Sequence, residues 1–377
     1  MRLRPLAQSS AGCIHLVVDA ISPRALMLVS DRVDARLRAA VRQGVRPCTE
    51  YLRLEEALQV DLLDWSALSA RHDRRSVRLS LRHALAAATR LRHYDVILSD
   101  GEHLGVPVGL ACRALRLSTP HLMIGHHLTT AAKRRLFRMV RPDSGVSRIL
   151  VHSSMQLHLV TTDLRVPASK LALVPYFADT SFWRPQRVEE EALIVAAGQE
   201  HRDYATLARA CQGLPAQVRI AAGSLHSPSA YVTRPDVWPA NVSTGFETHR
   251  TLRDLYARAS VVVVPLVETD FQAGVTTLLE AMAMGKAVIV SATGAQRDVI
   301  GDAETAVAVP PGDATAMREA LLRLLGCPDE RARLGSAARR AVERRFTLEL
   351  YVDRLAGHLR ELGSGWRDVP SRGAVSH

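Results

Sequence analysis

The feature that most constrains this chain is a succession of short, β-branched apolar runs. They are IHLVVDA (14–20), YDVILSD (94–100), HLMIGH (121–126), SRILVHSS (147–154), KLALVPY (170–176), ALIVAAGQ (192–199), QVRIAAGS (217–224), SVVVVPL (260–266), KAVIVSA (286–292) and AVAVPPG (306–312). Their apolar residues are nearly continuous rather than alternating. That marks strands covered on both faces, as in a parallel sheet. Amphipathic segments of helix length lie between many of them: 75–92 with 105–115, 203–212, 249–258, 276–284 and 313–325. The alternation predicts an α/β fold built from doubly wound sheets.

The alternation stops once. After Tyr176, FADTSFWRPQRVEEEA is polar, carries proline and has no strand or helix period, so it reads as an interdomain connection. A chain of 377 residues is long enough for two domains. We expect an N-terminal Rossmann-like domain over 1–184 and a second over 185–345, facing each other across a cleft. A helix over 346–362 and a mobile tail over 363–377 should follow.

The net charge of +11, carried mostly by arginine, favours anionic partners: nucleic acid, acidic lipid or phosphorylated small molecules. A coding bias toward arginine and alanine accounts for it equally well. The five cysteines are scattered, with no CxxC pair, which argues against a disulfide framework or a zinc site and fits a reducing compartment. Ser-Ala-Gly-Cys13 has no apolar run before it, so no signal peptide is expected. No stretch approaches the ~18 apolar residues of a membrane span. The expected location is cytoplasmic. The basic segments 71–93 and 133–142 offer either solvated helix faces or a peripheral contact with an acidic inner membrane face.

FQAGVTTLLEAMAMGKAVIVS (271–291) is a small-residue loop, a helix and a strand. A loop entering a helix N-terminus at the end of a parallel strand offers free N–H groups and a positive dipole end to an anion. Gly274 permits close approach, and Thr276 and Thr277 add hydroxyls. Glu280 lies about one turn into the helix, where a carboxylate accepts from a diol such as a ribose. On spacing alone, a loop and helix that simply pack is the rival reading.

VVVVPLVETDFQAGVTTLLEAMAMGKAVIVS resembles the donor-site signature of GT-B glycosyltransferases of the retaining, family-4-like group, the glycosyl transferases group 1. VPASKLALVPYFADTSFWRP, ANVSTGFETHRTLRDLYARASVVVVP and GDAETAVAVPPGD resemble other segments of that family, in the family's order. The resemblance is strong over about 170–330 and weaker before it. It implies a GT-B fold and transfer of a sugar from a nucleoside diphosphate donor to a carbohydrate, lipid or small-molecule hydroxyl, with retention and without a metal or other cofactor. No nucleic-acid partner is expected.

The resemblance also assigns residues. Glu280 takes the place of the second glutamate of the family's E-x7-E pair and is expected to bind ribose hydroxyls. The first glutamate is replaced by Gln272, placed here at the catalytic end, with Glu268 as a nearby substitute. Ala273, Gly274, Val275 and Thr276 are expected to turn their amides to the sugar and diphosphate. In AAGQEHRDYATL (196–207), Gly198 matches the family's glycine, Gln199 stands where arginine is usual, and Arg202 falls where a phosphate-clamping lysine is expected. His201 is a weaker candidate. On the acceptor side, His126 is preferred to His127, with Asp100, Glu102 and His103 as cleft candidates. The family's glycine loop after the first strand is not visible, and VVDAISPRA stands there instead. Two other functions fit less well: a degenerate nucleotide-sugar-binding scaffold, favoured by Gln272 and Gln199, and a sugar-nucleotide epimerase or phosphorylase of the same fold. A nucleic-acid binder has only the charge in its favour.

Overall fold

The computed structural model describes residues 23–68, 77–222, 232–301 and 304–367. Strands β1 (Ala25–Leu28), β2 (Asp61–Leu63), β3 (Val96–Ser99), β4 (His121–Gly125), β5 (Arg148–Val151) and β6 (Leu171–Leu173) form one sheet in the order β2-β1-β3-β4-β5-β6. A second sheet holds β7 (Glu191–Ala197), β8 (Gln217–Ala221), β9 (Val242–Gly245), β10 (Ala259–Val264), β11 (Ala287–Ser291) and β12 (Val307–Val309). Its order is β9-β8-β7-β10-β11-β12. Every pairing is parallel. The second order is that of a dinucleotide-binding Rossmann sheet, and its direction reverses between β7 and β10.

The β-branched runs are explained by what covers them. All six residues of β10 are buried. Val262 and Val264 pack with Leu278, Leu279 and Met282 on one face, and Val261 and Val263 with Leu207 and Leu321 on the other. Each such side chain contributes about 1.5–3 kcal/mol by leaving water.

The structure corrects the sequence reading in several places. The run at 14–20 lies outside the described residues. The first described strand is β1, in a segment for which no strand was expected, and the loop that leaves its carboxyl end is 29–34. Strands β2 and β9 were not expected, nor were helices Ala35–Arg42, Glu50–Leu58, Ser154–Thr162 and Pro328–Arg345. The last helix, Leu348–Arg367, runs into the stretch expected to be tail. It does not stay with the second sheet. Leu348, Tyr351, Val352, Leu355 and Leu359 pack with Met27, Val29, Leu98 and Leu150 of the first.

The chain therefore passes between the sheets twice, and the two passages are hydrogen-bonded to each other. Ala178 N donates to Phe346 O at 2.8 Å, and Leu348 N to Ala178 O at 3.0 Å. The connection after Tyr176 has no regular element, yet it is firmly held. The Asp179 carboxylate accepts from Cys48 N at 2.8 Å and Ser181 N at 3.0 Å, and Trp183 is buried at the second sheet. Among the described residues, no helix is long and apolar enough to cross a membrane.

Candidate active site

In open α/β sheets ligands bind beyond the carboxyl ends of the strands, where the strand order reverses. In the second sheet that crevice lies between the ends of β7 and β10, and Arg202 sits in it. Its Nε donates to Ala197 O at 2.8 Å, Nη1 to Glu200 O at 2.7 Å and Nη2 to Thr277 Oγ1 at 3.0 Å. Its backbone bridges to Leu266, beyond β10. The residue is only 3% exposed, and among the described residues no carboxylate pairs with it. A buried, unpaired cation is costly unless something anionic answers it.

Two glycines make room for this guanidinium. Gly198 has φ +94° and Gly274 φ +77°. A Cβ on Gly198 would collide with the Arg202 guanidinium, and one on Gly274 would stand 2.9 Å from Nη1. Gly274 caps the helix Val275–Ala283. Ala273 N donates to Phe271 O and Val275 N to Gln272 O, so these two expected amides are spent inside the loop. Among the described residues, the amides of Gly274, Thr276 and Thr277 meet no backbone carbonyl, and they carry the positive end of the helix. Thr276 is exposed, whereas Thr277 is buried against Arg202.

One turn further, Glu280 is 8% exposed and accepts no hydrogen bond from the described residues. Burial pushes its carboxyl up to about 8, against the pull of Arg202. It is therefore largely protonated near neutral pH, and hydrogen-bond donors from a ligand would favour its ionised form.

Gln272 does not face outward. Its Nε2 donates to Ala295 O at 3.0 Å. Gln199 donates to Ala222 O, toward the end of β8, and so is also turned from the crevice. Glu268 is exposed. His201, in a left-handed conformation at φ +52°, meets Phe271 edge-on with centroids 5.0 Å apart.

On the first domain, His127 rather than His126 meets the loop before Gly274. Its ring stacks on Phe271 at 3.9 Å with planes 13° apart, and Nε2 lies 3.3 Å from Asp270 Oδ1. Burial lowers its pKa, and Asp270 opposes that shift. Arg134 also reaches Asp270, at 3.3 Å. His126 is exposed, and its Nε2 donates to Asp100 O at 2.8 Å.

Glu102 is corrected from a cleft candidate to a buried support. It pairs with Lys133 at 2.5 Å and accepts from His126 N at 2.9 Å. Burial works against its ionisation, but Lys133 and His126 together hold the carboxylate well below its ordinary range. Asp100 Oδ2 is taken by Ser30, through N at 2.5 Å and Oγ at 2.8 Å. His103 is half-buried and folds over Gly101. Asp31 and Glu50 escaped the sequence reading. They lie with Asp100 near the ends of β1 and β3, and burial together with these two neighbours raises the Glu50 carboxyl to about 7. Without the correct first strand, nothing in the sequence pointed to them.

Residues 240–341 match the family model of glycosyl transferases group 1. The chain is 29% identical over 298 residues to an MMP alpha-(1->4)-mannosyltransferase of Mycolicibacterium hassiacum, covering 70% of each chain. It is 28% identical over 120 residues to an alpha-D-kanosaminyltransferase of Streptomyces kanamyceticus, covering 32% of this chain and 30% of that one. Its fold is that of Anabaena HepE in complex with UDP-glucose, with TM-score 0.67, 13% identity and coverage of 90% and 100%. The sucrose-phosphate synthase of Thermosynechococcus elongatus is similar, with TM-score 0.65, 19% identity and coverage of 91% and 100%.

The chain is a glycosyltransferase with the GT-B fold, and residues 240–341 are the part of it that matches glycosyl transferases group 1. The match over 240–341 spans the loop and helix around Gly274 and Glu280. The glycosyltransferase's Arg202 lies outside it, on the β7 side of the same crevice.

Proposed function

We propose that this glycosyltransferase takes a hexose-like sugar from a nucleoside diphosphate donor and passes it, with retention, to a hydroxyl of a polysaccharide, glycolipid or small natural product. The observation that carries the reading is Arg202, a guanidinium 3% exposed and unpaired among the described residues, lying beneath a left-handed glycine at a helix N-terminus. That site suits a diphosphate, and Glu280 one turn away suits a ribose diol. HepE was seen with UDP-glucose.

In the proposed reaction, the bond from the anomeric carbon to the leaving phosphate breaks, and a bond to the acceptor oxygen forms on the same face. The acceptor's proton passes to the leaving phosphate oxygen. Arg202 and the helix amides take up the charge that grows on the diphosphate, the part a metal plays in other transferases. Two relatives bear alpha in their names, the outcome that retention gives from an alpha-linked donor. The acceptor belongs on the first domain, near His126, Asp31, Glu50 and Asp100. Leu81 and Leu85, 54% and 69% exposed, share a helix with Arg78 and Arg82 at helical spacing, which supports peripheral contact with an acidic membrane.

The test is thermal unfolding with UDP, GDP, ADP, TDP and CDP, for the wild type and Glu280→Ala. A nucleotide at 100 times its dissociation constant adds about 2.7 kcal/mol. One base should stabilise the wild type and fail on the variant; equal shifts in both, or none in either, would sink the donor-site reading. Transfer should survive chelation of divalent ions. Anionic vesicles should sediment the wild type and release a Leu81→Ser, Leu85→Ser variant.

A further inference from the structure

The donor loop is held by two glutamines that cross. Gln272 Nε2 donates to Ala295 O at 3.0 Å, and Gln296 Nε2 donates to Ala273 O at 2.7 Å. Each side chain thus binds the backbone beside the other. Gln272 is 8% exposed, and Gln296, Ala273 and Ala295 are fully buried. A carbonyl oxygen only accepts, so the atom facing it must be the amide nitrogen; a flipped amide would set oxygen against oxygen. Gln272 Oε1 and Gln296 Oε1 are buried and find no partner among the described residues. In both residues the working atom is therefore the N–H.

That bears on the departure noted in the sequence. A glutamate at 272 would set an ionised carboxylate against the Ala295 carbonyl in a dry site. It can make the same bond only when protonated.

The brace also reaches the other domain. A Cβ on Gly294 would lie 2.9 Å from Met155 Sδ, and Asp298 Oδ1 accepts from Ser154 Oγ at 2.7 Å. The segment that the glutamines tie to the donor loop is thus the segment that docks on the first domain.

We propose that Gln272 and Gln296 are paired positioning residues that lock the donor loop to the 293–298 segment, and that glutamine is required at 272 for its N–H. The effect on sugar transfer rests on the donor-site reading above; the brace itself does not.

The experiment compares Gln272→Glu, Gln272→Met and Gln296→Met with the wild type from pH 5.5 to 8.5, reading melting temperature and turnover of the hexose esters of whichever nucleoside diphosphate the thermal screen selects. For Gln272→Glu, turnover relative to wild type should fall at least tenfold as pH rises, and relative melting temperature should fall in the same window. Gln272→Met should be low at every pH, without that trend and with the loss mainly in kcat. The two methionine substitutions together should cost less than the sum of each alone. A Gln272→Glu protein equal to wild type at pH 8, or a fully active Gln272→Met, overturns the proposal. Should Gln272→Glu not fold, Gln296→Glu sets the same choice against Ala273 O; the same trend is expected, and a flat profile overturns the idea. If no nucleotide-sugar is turned over, the melting arm still decides the brace, and the failure belongs to the donor reading.

Discussion

Arg202 Nη2 donates to Thr277 Oγ1 at 3.0 Å, joining the loop after β7 to the first turn of the helix Val275–Ala283. The two positions lie 75 residues apart. Their contact helps to hold the guanidinium against Gly274, where a Cβ would stand 2.9 Å from Nη1.

Replacing Arg202 with methionine should lower kcat by about 10²–10³-fold, the usual cost of removing a preorganised donor from developing negative charge. Arg202→Lys keeps the charge but loses the fork that holds Ala197 O, Glu200 O and Thr277 Oγ1 together. It should recover only a fraction of the loss. Steady-state kinetics decide the matter, and a lysine variant as fast as wild type contradicts the role given to the fork.

The Glu280 carboxyl stands at about 8 in the free protein. A diol that donates to the carboxylate lowers that value, so binding releases a proton below about pH 8. Nucleotide affinity should therefore rise with pH from 6.5 to 8, by up to about tenfold per unit. Glu280→Gln should lack this increment. Calorimetry in two buffers of different ionisation enthalpy measures the protons released; equal release by both proteins refutes the assignment. Stability follows the opposite sign. A raised carboxyl contributes fully below its unfolded value near 4.5, and the contribution is lost as pH rises through about 8.

Gly213 provides a control for the glycines around Arg202. It has φ +69° and open space where a Cβ would go. Gly213→Ala should cost about 1–2 kcal/mol from backbone strain alone. Gly198→Ala and Gly274→Ala add contact with Arg202 to that strain, and should both destabilise further and weaken nucleotide binding. Denaturant melts of the three variants test the ordering; equal losses would mean that Arg202 yields freely.

The Glu102–Lys133 pair should behave as a buried support for the 126–127 turn. Lys133→Met leaves a buried carboxylate and should cost roughly 2–4 kcal/mol at pH 7. The Glu102 carboxyl is depressed in the folded state, so its contribution is present above about pH 4.5 and is lost as pH falls below that. The Lys133→Met penalty should shrink toward pH 4, where the carboxyl can protonate. Urea titrations at pH 7 and pH 4.5 check this, and a penalty that grows on acidification speaks against it.

The central strands of the second sheet, β7, β10 and β11, were legible because they run for five to seven residues, carry β-branched side chains and are largely buried on both faces. β1 was not: ALML is made of good helix formers, and only its neighbours force it to be a strand. Helix Pro328–Arg345 escaped notice because its inward stripe of Leu334, Ala338, Ala341 and Val342 is mostly small residues within an arginine-rich run. In the site, local features could be placed from the sequence: Gly198 and Gly274 turn in left-handed conformations, and Arg202, reached by counting along a loop, lies against both. What the sequence hid were contacts across the cleft. That His127 rather than His126 stacks on Phe271, and that Gln296 reaches Ala273, depends on segments that meet only in the folded chain.

The two passages between the sheets lie side by side, fastened at Ala178, Phe346 and Leu348. A single covalent link lets two bodies turn about any direction; two adjacent links leave mainly one. Any rotation of one sheet against the other must therefore bend both passages together, which favours the single register in which His127 stacks on Phe271.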